Sequence, residues 1–260
     1  MSVAEAAKKA TPAWSDEEWR ARRDLAACYR LADHFGWTDL IYNHITMRVP
    51  GEAHHILINP YGLHYEEVCA SNLVKIDLDG NKIESSDYGV NQAGYVIHSA
   101  IHGAREDVRC VLHTHSRFGV AVSCLEEGFL PMTQGGLQFH NRIAYHDYEG
   151  IALDLDERSR LVADLGDKNA MILRNHGLLT CGRSVPEAFS RMYYLEQACR
   201  VQIDARGTGA KLNQLSGQVA EHTAQQWEGG GDGSLNKDED SLEWTAMLRL
   251  LDRRDPSYRD

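Results

Sequence analysis

Val108-Arg109-Cys110-Val111-Leu112-His113-Thr114-His115-Ser116 is the stretch from which the rest of this chain is best read. An apolar run of strand character ends in two histidines two residues apart. Side chains alternate along a strand, so residues i and i+2 leave the same face at the same end. Both imidazoles can therefore reach one point, and imidazole is a common ligand for borderline divalent metals. A polar strand end facing solvent, or a closed hydrogen-bond network, is the simpler alternative. A third ligand is needed to decide between them.

It comes later in the chain. Ala170-Met171-Ile172-Leu173 is a second wholly apolar strand, and it runs into Arg174-Asn175-His176-Gly177. Other histidines are less telling. His98 and His102 stand at i and i+4 on a helix expected over Gln92 to Arg105, a spacing that can pinch a metal, but no zincin-type Glu lies between them. The expectation is that one lines a pocket and the other is solvated. His54 and His55 fall in a turn and read as solvated.

Around these landmarks the chain organises as one domain over residues 15 to 228. Residues 1 to 14 form a tail, 229 to 240 a hydrophilic linker, and 241 to 260 a final docking helix. Ser15 with Glu18 has the form of a capping box opening a helix to about His34. Two strands are expected between Asp39 and Pro60, and another over Leu73 to Leu78 before the tight turn Asp79-Gly80-Asn81. A short helix near Phe118 to Leu125, a strand over Arg142 to Tyr148, a helix opened by Asp154-Leu155-Asp156-Glu157 and a long helix from Val185 to Ala205 complete the domain. The last helix, Leu242 to Leu251, carries Trp244, Met247 and Leu250 on one face. It must dock on the domain or on a neighbouring subunit.

The bulk numbers exclude several classes. The 260 residues are 43% hydrophobic and 25% charged, as in ordinary globular proteins. A formal net charge of -11 opposes binding to a phosphate backbone, so no nucleic-acid partner is expected. No apolar run approaches the roughly 20 residues that span a bilayer, and Met1 to Pro12 lacks a signal-peptide core. No membrane partner and a cytoplasmic location are expected. Six scattered cysteines without a C-x-x-C pair fit reduced, packed thiols.

The order of His113-Thr114-His115, Arg174-Asn175-His176-Gly177-Leu178-Leu179 and the lead-in Asp39-Leu40-Ile41-Tyr42-Asn43-His44-Ile45-Thr46 resembles the class II aldolase and adducin family over about residues 20 to 215. The resemblance implies an α/β fold, an α/β/α sandwich on a mostly antiparallel central sheet. It also implies one divalent metal ion per subunit (Zn, Mn or Fe) held by His113, His115 and His176. The site would lie between subunits of a homo-oligomer, usually a tetramer, and take a small-molecule carbonyl or hydroxy-acid substrate. The metal would act as a Lewis acid on a carbonyl or hydroxy-carbonyl oxygen.

The departures are informative. Sugar-phosphate aldolases of this kind carry Ser-Ser-Glu at the start of the helix before the metal strand, with Glu as the acid/base. Here the serines fall on Gln92 and Ala93 and the Glu on Gly94. The phosphate-cradling Gly-Asn aligns with Asn43-His44. Asn43-His44-Ile45-Thr46, Ile58-Asn59-Pro60-Tyr61-Gly62 and Tyr145-His146-Asp147-Tyr148 look closer to the adducin side. Tyr145 falls where the aldolases place a tyrosine that reaches into the neighbouring site as proton donor. His98, Gln92 and Glu67 are further candidates for work near the metal, and Asn43, Gly62 and Gly94 for contact with substrate. The chain thus reads first as a metal-dependent lyase on an unphosphorylated carbonyl or hydroxy acid, acting by retro-aldol cleavage or decarboxylation. A mononuclear non-haem Fe(II) oxygenase on the same histidines is the alternative, and a non-catalytic adducin-like interaction module is the third.

Overall fold

The computed structural model describes residues 14–150, 157–229 and 241–260. Among the described residues, seven strands form one sheet in the order β3-β2-β1-β4-β7-β6-β5. The strands are β1 (His44–Arg48), β2 (His55–Ile58), β3 (Val74–Asp77), β4 (Cys110–Thr114), β5 (Ile143–His146), β6 (Ala170–Leu173) and β7 (Gly177–Gly182). Every neighbouring pair is antiparallel except β5 and β6. Both faces are covered, and the central strands β4, β7 and β6 are accordingly buried along their whole length. On one face α1 (Asp16–His34), α3 (Arg117–Ser123), α5 (Val185–Gly207) and α7 (Leu242–Arg254) enclose Leu25, Ile45, Leu112, Leu178 and Met192. On the other, α2 (Gln92–Ala104) and α4 (Glu157–Leu165) enclose Ile97, Ile101, Val111, Leu161 and Leu179. The architecture is the expected α/β/α sandwich on a mostly antiparallel sheet.

Local chemistry explains the element ends. Ser15 accepts a hydrogen bond from Glu18 N at 3.1 Å and so opens α1. The Glu18 carboxylate is buried and binds Arg22 at 2.9 Å and Lys75 at 3.1 Å. Trp14, expected in the tail, is held in the fold. It stacks on Trp19 and donates to Glu84, with the Arg22 guanidinium 3.8 Å from its ring centre. Residues 1–13, the linker residues 230–240 and the expected helix start at 154–156 lie outside the described residues.

Two elements were not foreseen. β7 is a fully buried strand at the centre of the sheet, between β4 and β6. Its sequence, Gly-Leu-Leu-Thr-Cys-Gly, is bounded by glycines that weaken strand character, and it follows β6 after only three residues. The second, α6 (Gly217–Trp227), is capped by Ser216, which accepts from Val219 N. The last helix docks on this same chain: Trp244 is buried, packs against Phe189 and donates to Asp24 at 3.1 Å.

Candidate metal centre

The antiparallel pairing of β1, β4 and β7 brings three segments to one end of the sheet. His113 is the penultimate residue of β4, His115 lies just past it, and His176 occupies the turn joining β6 to β7. That turn has a clear local logic. Asn175 adopts φ +56°, a left-handed conformation that asparagine tolerates better than most residues. Gly177 then lets β7 approach β4, because a Cβ there would lie 2.3 Å from the Thr114 carbonyl oxygen. Asn-His-Gly is thus a turn residue, a candidate ligand and a close-approach residue in sequence.

One ligating nitrogen from each of His113, His115 and His176 falls within 4.8 Å of the other two. The Nε2 atoms of His115 and His176 are 2.9 Å apart. Partners behind two of the rings settle which nitrogen is left free. His113 Nδ1 donates to the Leu178 carbonyl at 2.9 Å, and His113 Nε2 has no partner among the described residues. His115 Nδ1 donates to the Asp39 carboxylate at 2.9 Å. Such partners fix the tautomer and raise the basicity of the opposite nitrogen, the usual support of a ligating histidine. Burial first, then the neighbouring histidines, pushes His176 down to about 4 and His113 well below its ordinary value. Neutral rings with free lone pairs are the form that binds a cation, so the residues present fit a divalent metal. Glu196 steadies the chain beyond His115: its buried carboxylate accepts from Ser116 Oγ at 2.6 Å and Gly119 N at 2.9 Å, anchoring the start of α3.

The other expected residues are placed as follows. His98 and His102 are both buried, at 0% and 1% exposure, which corrects the expectation that one of them is solvated. Both bond Thr46 Oγ1 at 2.8 Å, through His98 Nδ1 and His102 Nε2. Tyr145 is half-buried. Its hydroxyl accepts from Phe129 N at 3.1 Å, with the Arg174 guanidinium 4.4 Å from the ring centre, so within this chain it serves a neighbouring loop. Tyr148, which the sequence reading did not single out, is exposed with its ring 6.4 Å from that of His176. Glu67 is a cap, accepting from His64 N at 2.8 Å. Gln92 stands exposed in the first turn of α2, and Gly62 is exposed in the loop after β2 with φ +105°.

Asn43 and Gly94 lie deeper. Asn43 is 2% exposed with a left-handed backbone at φ +75°, and among the described residues neither atom of its amide has a partner. Gly94 is buried against His44, whose ring also sits 4.3 Å from that of His98 and 5.3 Å from that of His113. Burial above all holds His44 neutral, at about 3. Sequence reasoning missed Asp39, Glu196 and the setting of His44. Asp39 and Glu196 meet their partners only across 76 and 80 residues, a separation with no local periodicity to betray it.

Comparison with known proteins agrees with this geometry. Residues 23–203 match the model of the class II aldolase and adducin N-terminal domain. The crystal structure of an aldolase II superfamily protein from Pseudomonas syringae is 50% identical, covering 95% of this chain and 98% of that one with a TM-score of 0.88. An L-fuculose 1-phosphate aldolase from Glaciozyma antarctica PI12 is 28% identical over 94% of this chain and 93% of its own, with a TM-score of 0.81. Alpha-adducin of Rattus norvegicus is 42% identical over 92% of this chain, which corresponds to 34% of that protein. A fold, a histidine cluster and a domain match that all coincide lead to one statement: this chain belongs to the class II aldolase and adducin family.

Proposed function

We propose that this chain is a metal-dependent lyase that cleaves a carbon-carbon bond of a small, unphosphorylated carbonyl or hydroxy acid. The observation that supports this most is the convergence of His113, His115 and His176, with Asp39 and the Leu178 carbonyl bracing two of the rings. A divalent ion held there, zinc by analogy with the family, would supply Lewis acidity toward a carbonyl or hydroxy-carbonyl oxygen.

The chain's own residues narrow the reaction. Gly94 offers no carboxylate for removing a substrate proton, and a positioned acid/base is typically worth about 10² to 10⁴ in rate. Decarboxylation suits this wall best, since breaking the bond to the carboxylate carbon needs no prior proton abstraction and only a later proton delivery. Tyr148, exposed beside His176, is placed to supply that proton. Tyr145 could do so only after its hydroxyl leaves Phe129 N. Family precedent further supports an oligomer with its sites between subunits.

The test is metal analysis of anaerobically purified protein, followed by a panel of hydroxy and keto acids with and without oxygen. Oxygen-independent release of carbon dioxide or an aldehyde, lost in His176→Ala, is the expected result. Iron together with oxygen uptake would replace the lyase by the oxygenase. The 42% identity to alpha-adducin favours a second reading, a non-catalytic interaction module. Protein that takes up no metal, and in which His176→Ala changes stability alone, would establish that module instead.

A further inference from the structure

One face of α5 carries Pro186, Phe189, Ser190 and Tyr193, at the i, i+3, i+4 and i+7 positions that share one side of a helix. α7 meets it with Glu243, Trp244 and Met247, and Phe35, just past the end of α1, supplies the third side. The three elements do not meet flush. They leave a cavity of about 300 Å³, at the lower end of the range for small-molecule sites. None of the three histidines of the metal centre lines it.

Six residues of that lining form a closed circuit. Between ring centres, Trp244 lies 5.6 Å from Phe189, Phe189 6.0 Å from Phe35, Phe35 5.3 Å from Tyr193 and Tyr193 5.4 Å from Tyr194. The Tyr194 hydroxyl then donates to Glu243 Oε1 at 3.4 Å, and Glu243 adjoins Trp244 in the chain. Ser190 Oγ donates to the other carboxylate oxygen, also at 3.4 Å. Burial first, and then the charge of Glu243, raises the Tyr194 phenol above its ordinary value, which keeps it a donor. Among the described residues that line the cavity, Glu243 carries the only charged side chain.

The sign of that charge and the aromatic walls together select a ligand. An anion would face a carboxylate with no cation in the lining to offset it. A neutral apolar molecule would gain nothing from the carboxylate. An organic cation gains from both, because aromatic rings attract a positive charge held within about 6 Å of the ring centre. Both oxygens of Glu243 already accept a hydroxyl. A primary ammonium brings three donors that each need an acceptor, whereas a methylated one needs none. We propose that this cavity binds a small, free quaternary ammonium solute, seated among the aromatic rings with its charge toward Glu243. The site shares no lining residue with the histidine cluster, so it stands whether or not that cluster is catalytic.

The test uses the full chain, with choline as the probe and dimethylbutanol, the uncharged carbon isostere of choline, as the comparison. Both are titrated by calorimetry, and folding is checked by thermal melting. Choline is expected to bind saturably and about 10-fold or more tightly than the alcohol. Glu243→Gln alters an exposed side chain, so it should keep the fold and bring the two affinities close together. Tyr193→Leu, which keeps an apolar wall and removes one ring, should weaken choline about 3- to 30-fold and the alcohol far less. Should either variant fail to fold, the comparison of the two ligands on the wild type still decides. Absence of saturable choline binding, equal affinity for the alcohol, or unchanged choline affinity in folded Glu243→Gln would each overturn the proposal.

Discussion

Gly177→Ala is the sharpest perturbation this fold allows. The new Cβ would lie 2.3 Å from the Thr114 carbonyl oxygen, 3.3 Å from its carbon and 3.5 Å from His113 Cε1. The obstacle is backbone of the neighbouring strand, which cannot rotate aside as a side chain would. Relief requires β7 to move by about 1 Å from a partner that normally lies about 4.8 Å away. Overpacking of this kind costs about 1–3 kcal/mol, and each ladder hydrogen bond disturbed at the Thr114↔Leu178 end adds about 0.5–1.5 kcal/mol. The expected destabilisation is roughly 2–4 kcal/mol, and at about 2–4 °C per kcal/mol for a chain of this size the melting temperature should fall by about 4–16 °C. Because His176 precedes the displaced residue and His113 faces it, zinc affinity should fall too. The control is Gly103→Ala, the same change on the exposed side of α2, where the added Cβ meets only Leu78 Cδ1 at 3.8 Å. There helix propensity should leave stability unchanged or raise it by up to about 1 kcal/mol. Thermal unfolding by circular dichroism with a chelator-competition titration measures both. If the two alanine variants melted and bound zinc alike, the argument from the close β4–β7 approach would be wrong.

Three further outcomes are expected. Asp39→Asn removes the carboxylate behind His115 and should weaken metal binding about 10- to 100-fold with little change in the fold, read by the same competition assay. Trp244→Ala empties the seat of α7 on α1 and α5 and should cost about 3–5 kcal/mol, read by urea unfolding; no loss would mean that the helix contributes little to the domain. Burial first, and then the charge of Arg48, holds His102 down at about 3, below the ordinary value near 6.5 of the unfolded chain. The unfolded state takes up that proton first, so the stability contribution present above about pH 6.5 is lost progressively as pH falls toward 3. His102→Gln should flatten the acid limb of a stability-against-pH curve, and an unchanged limb would exclude His102 as its source.

Much of this arrangement was legible before any coordinates. The alternation of Ile45 and Met47, the cap at Ser15 and the two apolar runs ending in histidine carry their structure locally, in periodicity and capping chemistry. What escaped is what depends on contact across the fold. β7 hides because glycines bound it and because a three-residue turn makes it look like a continuation of β6. His98 and His102 resemble a half-solvated helix face until β1 covers them and Thr46 supplies one hydroxyl for both. Tyr145 sits at the expected place in the sequence, yet the loop at Phe129 claims its hydroxyl, while Tyr148 stands three residues on, exposed beside His176.

The histidine triad rises from β4 and from the turn between β6 and β7, whereas Asn43 and His44 rise from β1 on the opposite flank of β4. The three imidazoles and the contact between His44 and Gly94 are consequently mounted on different strands of one rigid plank. Variation confined to the chain leading into β1, and to its counterpart at position 94, leaves the segments that carry the three imidazoles unaltered in sequence.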